Sequence, residues 1–178
     1  DTEADNNLVF LEIKNKYDNF IGKNRAALLY HDLKNLLETK SIETYTLTNN
    51  GTTLSITDTD GNGEELEVSQ SGTSIRFFAS GRTYSLNSGA TTAMPIDVAI
   101  AGLSFIVINA GTGNDTINVG AFTTNLPGLT INGGIDNDVV NMSGDINFNS
   151  GAAFNADLQN DNATPGVDVF NVAANANI

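Results

Sequence analysis

The chain has 178 residues, 21 acidic side chains against 8 basic ones, a formal net charge of −13 and no cysteine. Such a charge repels nucleic acid and anionic membrane surfaces and attracts divalent cations. The missing thiols exclude disulfides, thiolate metal sites and Cys nucleophiles, and without an apolar run of about 18 residues no transmembrane helix is expected.

The length suits one domain, or one domain with an appendage, and a chain of this size buries roughly 70% of its unfolded surface. Residues 1–41 form the expected appendage, a short helical and strand element. They carry six basic side chains, from Lys14 to Lys40, and the single His. Ala26, Leu29, Tyr30, Leu33, Leu36 and Leu37 recur at helical spacing, with Asn24 placed to cap the start. Lys34 and Lys40 suit the end of such a helix. His31 has no second His or Cys partner and reads as an ordinary boundary residue. No charged-then-apolar leader opens the chain, so Asp1-Thr2-Glu3 reads as a mature terminus or a cut from a longer protein.

Residues 42–90 are short alternating runs separated by turn signals. Tyr45–Thr48 and Thr53–Ile56 flank Asn49-Asn50-Gly51, which predicts a hairpin. Leu66-Glu67-Val68 and Ile75-Arg76-Phe77 flank Gln70-Ser71-Gly72 in the same way. Between these pairs lies Asp58-Thr59-Asp60-Gly61-Asn62-Gly63, the first half of a calcium loop. Three oxygen side chains at alternate positions can face one ion, and Gly63 permits a sharp turn. The twelfth position is Ser69 rather than Glu, so Glu65 or Glu67 would supply the missing carboxylate.

Residues 91–178 carry a repeat. Asn109-Ala110-Gly111-Thr112-Gly113-Asn114-Asp115-Thr116-Ile117-Asn118-Val119 returns as Asn132-Gly133-Gly134-Ile135-Asp136-Asn137-Asp138-Val139-Val140-Asn141-Met142, with Asp138 lying 23 residues after Asp115. A looser third copy runs from Asp157 to Val172, lengthened by an insertion around Thr164-Pro165-Gly166. Self-similarity at such a period predicts stacked units that bury their apolar faces only together. The expected fold is therefore mainly β: a parallel β-solenoid, or β-helix, with coils of about 23 residues, preceded by β-hairpins and the N-terminal helical element. Ile108, Ile117, Ile131 and Val140 are expected to point inward. Asn109 over Asn132, and Asn118 over Asn141, predict amide ladders.

The two Gly-Asp segments, around Asp115 and Asp138, resemble the RTX nonapeptide G-G-x-G-x-D-x-U-x. The resemblance is partial: Ala110 replaces the first Gly of one copy and Asp136 the third Gly of the other, and the copies are 23 residues apart. In that family, Gly turns and Asp carboxylates from consecutive coils chelate calcium. The resemblance thus implies calcium at Asp115 and Asp138, beside the possible site at Asp58, Asp60, Asn62 and Glu65. The wider texture, in segments such as "ITDTDGNG", "NAGTGNDTINV" and "LTINGGIDNDVVNMSGDINF", is similar to large bacterial extracellular proteins built from degenerate β-strand repeats. That resemblance implies a structural or adhesive protein, extracellular or at the cell surface, and transfers no active site.

Enzyme readings find little support. Every charged side chain after Arg82 is Asp, which leaves the repeat without Lys, Arg or His. Asp136 with Asp138, or Asp157 with Asp161, imitates a glycosidase pair only in composition. The expected function is structural and non-enzymatic: a subunit or segment of a surface adhesin or fibre. Self-association into a homopolymer is the expected partnership, because the sequence after Val172 shows no capping element. The competing expectation is a calcium-dependent, RTX-like module for surface glycans. Neither reading involves nucleic acid or membrane insertion.

Overall fold

The computed structural model describes residues 45–158, 167–174, 176 and 178, which form fifteen strands and no helix. The expected helical element over 1–41, Asp161 and the Thr164-Pro165-Gly166 insertion lie outside the described residues. The fold is mainly β, with mixed sheets. Strands β1 (Tyr45–Asn49) and β2 (Thr53–Asp58) are antiparallel, with Leu47 opposite Ile56. The Asn50 side chain accepts from the Thr52 and Thr53 N–H groups and closes the turn between them. Strands β3 (Glu65–Ser71) and β4 (Ser74–Phe78) form the second hairpin, with Val68 opposite Phe77. Strand β5 (Thr83–Leu86) lies parallel to β1, β6 (Thr92–Ala93) antiparallel to β5, and β7 (Ile96–Ala99) antiparallel to β4.

From here the chain runs parallel to itself. Strands β8 (Phe105–Thr112), β9 (Thr116–Val119) and β10 (Phe122–Leu126) are followed by β11 (Gly128–Ile135), β12 (Val139–Met142) and β13 (Ile146–Phe148). Each member of the second trio pairs parallel with its counterpart in the first, and Asn132 meets Asn109 while Asn141 meets Asn118. Strands β14 (Phe154–Asp157) and β15 (Val169–Val172) add one more parallel neighbour to β11 and β12. The hairpin region is joined to this array. Strand β2 pairs parallel with β8, placing Ile56 against Ile108, and β3 with β9, placing Leu66 against Ile117. The expected division at residue 90 thus runs through two continuous sheets, of seven and six strands.

In-register parallel pairing stacks like residues in columns. Leu54, Ile106 and Leu129 form one, and Ile56, Ile108 and Ile131 the next. From the six-stranded sheet come Leu66, Ile117 and Val140, and Val68, Val119 and Met142. All twelve are buried, as are Phe122, Leu126 and Ile146 from the β10–β13 pair. The predicted inward positions Ile108, Ile117, Ile131 and Val140 are therefore core residues. The Asn ladders form too: the Asn132 amide donates to Asn109 Oδ1 at 2.7 Å, and Asn141 to Asn118 Oδ1 at 2.8 Å.

Ile131 is fully buried in a middle strand, whereas its neighbour Thr130 is half-buried and lies on the opposite face. Truncation of Ile131 to Ala should cost about 2–5 kcal/mol in urea unfolding. Ile131→Asp should prevent folding by burying an unpaired charge, while Thr130→Asp should still fold. Comparable melting of Ile131→Asp and the parent would disprove the register.

Candidate functional site

Three connections lie over one another at one corner of the sheets: Asp58–Glu64 between β2 and β3, Thr112–Asp115 between β8 and β9, and Ile135–Asp138 between β11 and β12. Their approach is close enough to require glycine. A Cβ on Gly113 would sit 2.5 Å from the Asn62 carbonyl carbon, and one on Gly134, whose φ is +108°, would sit 2.0 Å from the Gly111 oxygen.

Each connection ends on an acid that precedes the next strand. The Asp115 carboxylate accepts from the Glu64 N–H at 2.8 Å, Asp138 from the Asp115 N–H at 3.0 Å, and Asp168 from the Asp138 N–H at 2.9 Å. Main-chain bonds run alongside: the N–H groups of Thr116, Val139 and Val169 donate to the carbonyls of Glu64, Asp115 and Asp138. The result is a column of acids knitted through the backbone, with Glu64, Asp115 and Asp138 buried. The second oxygens of Glu64 and Asp115, Oε2 and Oδ2, are buried without a hydrogen-bond partner.

At one end of this column the carboxylates of Asp58, Asp60 and Glu64 come within 4.8 Å of one another, an arrangement that could hold a metal ion. Asp58 also accepts from the N–H groups of Asp60 and Gly61, which folds the acidic turn back on itself. Arg82, just before β5, reaches this cluster. Its Nη1 lies 3.1 Å from Asp60 Oδ2, and its Nη2 pairs with Glu64 Oε1.

The sequence-predicted ligands are distributed unevenly around this point. Asp58 and Asp60 meet in the cluster. Asn62 is exposed and donates to Asp60 Oδ1 from both its N–H and its amide. Glu65 is exposed on the outer face of β3, where it accepts from the Asn118 amide at 2.7 Å. The third acid is Glu64, which the sequence reading passed over. Adjacent residues at a strand start face opposite sides, so the choice between Glu64 and Glu65 is one of phase. The signal that identifies Glu64 is the inward set Leu66 and Val68, whose two-residue alternation extends back to position 64. Asp115 and Asp138 are one and two layers away, committed through one oxygen to the backbone ladder.

Burial dominates the electrostatics. It pushes the Glu64 carboxyl up to about 8, with the nearby charges of Asp58 and Asp60 adding to the rise and Arg82 opposing it. Burial likewise raises Asp115 to about 7 despite the hydrogen bond from the Glu64 N–H, and Asp138, Asp58 and Asp60 raise it further. Asp58 is raised by burial against its own backbone hydrogen bonds. Comparison with protein-family models, curated proteins and solved structures gives no match.

A carboxyl whose folded pKa exceeds its unfolded value binds protons more tightly when folded. Its contribution is complete below the unfolded value and is lost as pH rises through the folded one. Stability toward urea, measured without added divalent ions, should therefore decline as pH rises above the ordinary carboxylate range, and should level off only past about 7 for Asp115 and about 8 for Glu64. Glu64→Gln should flatten the upper part of that decline. A stability that climbs across this range would contradict the placement of the acids.

Proposed function

We propose that the parallel ladders constitute a β-solenoid and that the chain is a structural, non-enzymatic extracellular protein. In this reading it is a subunit or segment of a bacterial surface adhesin or fibre, lengthened by stacking on its open edge. One observation carries the proposal. The core column Leu66, Ile117, Val140 continues to Phe170, and the column Val68, Val119, Met142 continues to Val172. The first three members of each column are at most 3% exposed, whereas Phe170 is 42% and Val172 47% exposed. A further layer would bury the exposed half of both side chains, each contributing roughly 1 kcal/mol, and would pair the edge of β15, which no described strand occupies. Asn171 continues the outer Asn ladder, donating to Asn141 at 2.8 Å. Only Asp among charged side chains follows Arg82, which supports the non-enzymatic reading.

The opposite side of the stack is built differently. There the parallel run gives way to the antiparallel β1–β2 and β3–β4–β7 pairings and to the two-residue strand β6. Short, irregular edges of this kind resist further pairing, which favours growth from the β14–β15 side.

Analytical ultracentrifugation with negative-stain imaging tests this. The purified chain should form concentration-dependent oligomers or filaments. Phe170→Asp combined with Val172→Asp should leave it dispersed and folded, because both side chains are exposed in the isolated chain. A parent that stays monomeric at every concentration would overturn the stacking reading.

A second reading, a calcium-dependent module of RTX type for surface glycans, is favoured by the convergence of Asp58, Asp60 and Glu64. Calcium-dependent retention on a glycan surface, lost in Asp58→Asn, is its expected signature.

A further inference from the structure

We infer that Arg82 is a resident counter-ion of a divalent-cation site formed by Asp58, Asp60 and Glu64, and that the guanidinium and the cation compete for these oxygens. The inference rests on the calcium reading above and adds what regulates the site. Once all three are ionised, the carboxylates within 4.8 Å carry more negative charge than one guanidinium neutralises. The Glu64 side chain is only 1% exposed and the Asp60 side chain 10%, so water does little of the remaining neutralisation. Arg82, at 31%, covers the cluster from the solvent side.

The Glu64 carboxylate supplies the observation that points to a ligand. Its Oε1 pairs with Arg82, but its Oε2 is buried with no hydrogen-bond partner. A buried acceptor left open in this way is costly. A hard cation takes several oxygens at once, carboxylates and water together, and can engage an oxygen that the planar fork of Arg82 leaves unused. The geometry also gives Arg82 somewhere to go. A cavity of about 160 Å³ opens beside the cluster, lined by Glu64, Glu65, Glu67 and Arg82 itself. The guanidinium can swing from Asp60 toward Glu67 without leaving acidic surroundings.

Displacement has a structural consequence. The Arg82 backbone closes the turn onto the Ala79 carbonyl, and its own carbonyl accepts from the Met94 N–H at 3.1 Å. Arg82 thus ties the acidic turn to the β4–β5 and β6–β7 connections. A cation that takes its place exchanges a side-chain tie for a metal tie within the β2–β3 turn alone.

Tyrosine-sensitised terbium luminescence tests this on the full chain. The chain has no Trp, and Tyr45 lines a small internal void together with Glu64 and Asp115, which places an antenna beside the site. Terbium should bind with sensitised emission, and calcium should displace it. Arg82→Gln should tighten calcium binding about tenfold, equivalent to about 1.4 kcal/mol. Arg82→Lys, which keeps the charge and loses the fork, should fall between the two. Asp58→Asn with Glu64→Gln should abolish the signal. Tyr45→Phe should lose the emission but keep the rise in melting temperature with calcium. A folded Arg82→Gln protein that binds calcium no more tightly than the parent would overturn the competition while leaving the calcium reading intact. Absence of terbium and calcium binding in the parent and both Arg82 variants would overturn both. Binding that survives Asp58→Asn with Glu64→Gln would place the ion elsewhere and overturn the assignment.

Discussion

The structure depends on in-register parallel pairing. When strands of one chain pair parallel without a shift, every residue meets its counterpart in the next layer, and like side chains stack on like. For apolar residues this produces continuous columns such as Ile56, Ile108 and Ile131. For Asn it produces ladders, because an amide has a donor and an acceptor and can serve both neighbours. For Asp it produces a conflict, since carboxylates placed directly over one another repel. The column Glu64, Asp115, Asp138 and Asp168 resolves that conflict by turning each Asp carboxylate to the N–H of its neighbour in the adjacent layer. One oxygen of each is then satisfied. Burial and mutual repulsion remain, which is why Glu64 and Asp115 hold their protons so tightly.

The acidic turn at the base inherits this tension. Asp58 and Asp60 add to the charge of Glu64, and Arg82 pairs with Asp60 and Glu64. Protonation, a guanidinium and a metal ion are three ways to neutralise the same oxygens. They differ in reach: a proton acts at one carboxyl, Arg82 bridges Asp60 and Glu64, and a cation can engage Asp58 as well. The arrangement thereby links the stability of the stack to pH, and, on the proposed cation site, to divalent ions through the same atoms.

Much of this was legible in the sequence where it repeats itself. The 23-residue offset of Asn109, Asp115 and Asn118 from Asn132, Asp138 and Asn141 appears directly as the pairing of β8 with β11 and β9 with β12. The turn chemistry of Asn50-Gly51 and of Gly72 likewise marked the two hairpins. The first layer was harder to see, because Glu64 lies 51 residues before Asp115, with β4 to β7 inserted between them. Its turn also matches the later ones in position rather than in motif. The identity of the third acid was hidden by phase alone: Glu64 and Glu65 are adjacent and chemically alike, and the inward alternation of β3 separates them. Arg82 was invisible as a partner because no local pattern connects it to Asp60, 22 residues earlier.

The acid column is most directly tested by residue-resolved amide hydrogen exchange. Glu64, Asp115 and Asp138 stand at connections between strands, where N–H groups ordinarily exchange fast. Here each donates to a carboxylate of the neighbouring layer, so all three should exchange as slowly as the central strand amides of Ile117 and Val140. Exchange at the fast rate of an open turn, with the strands themselves protected, would contradict the account.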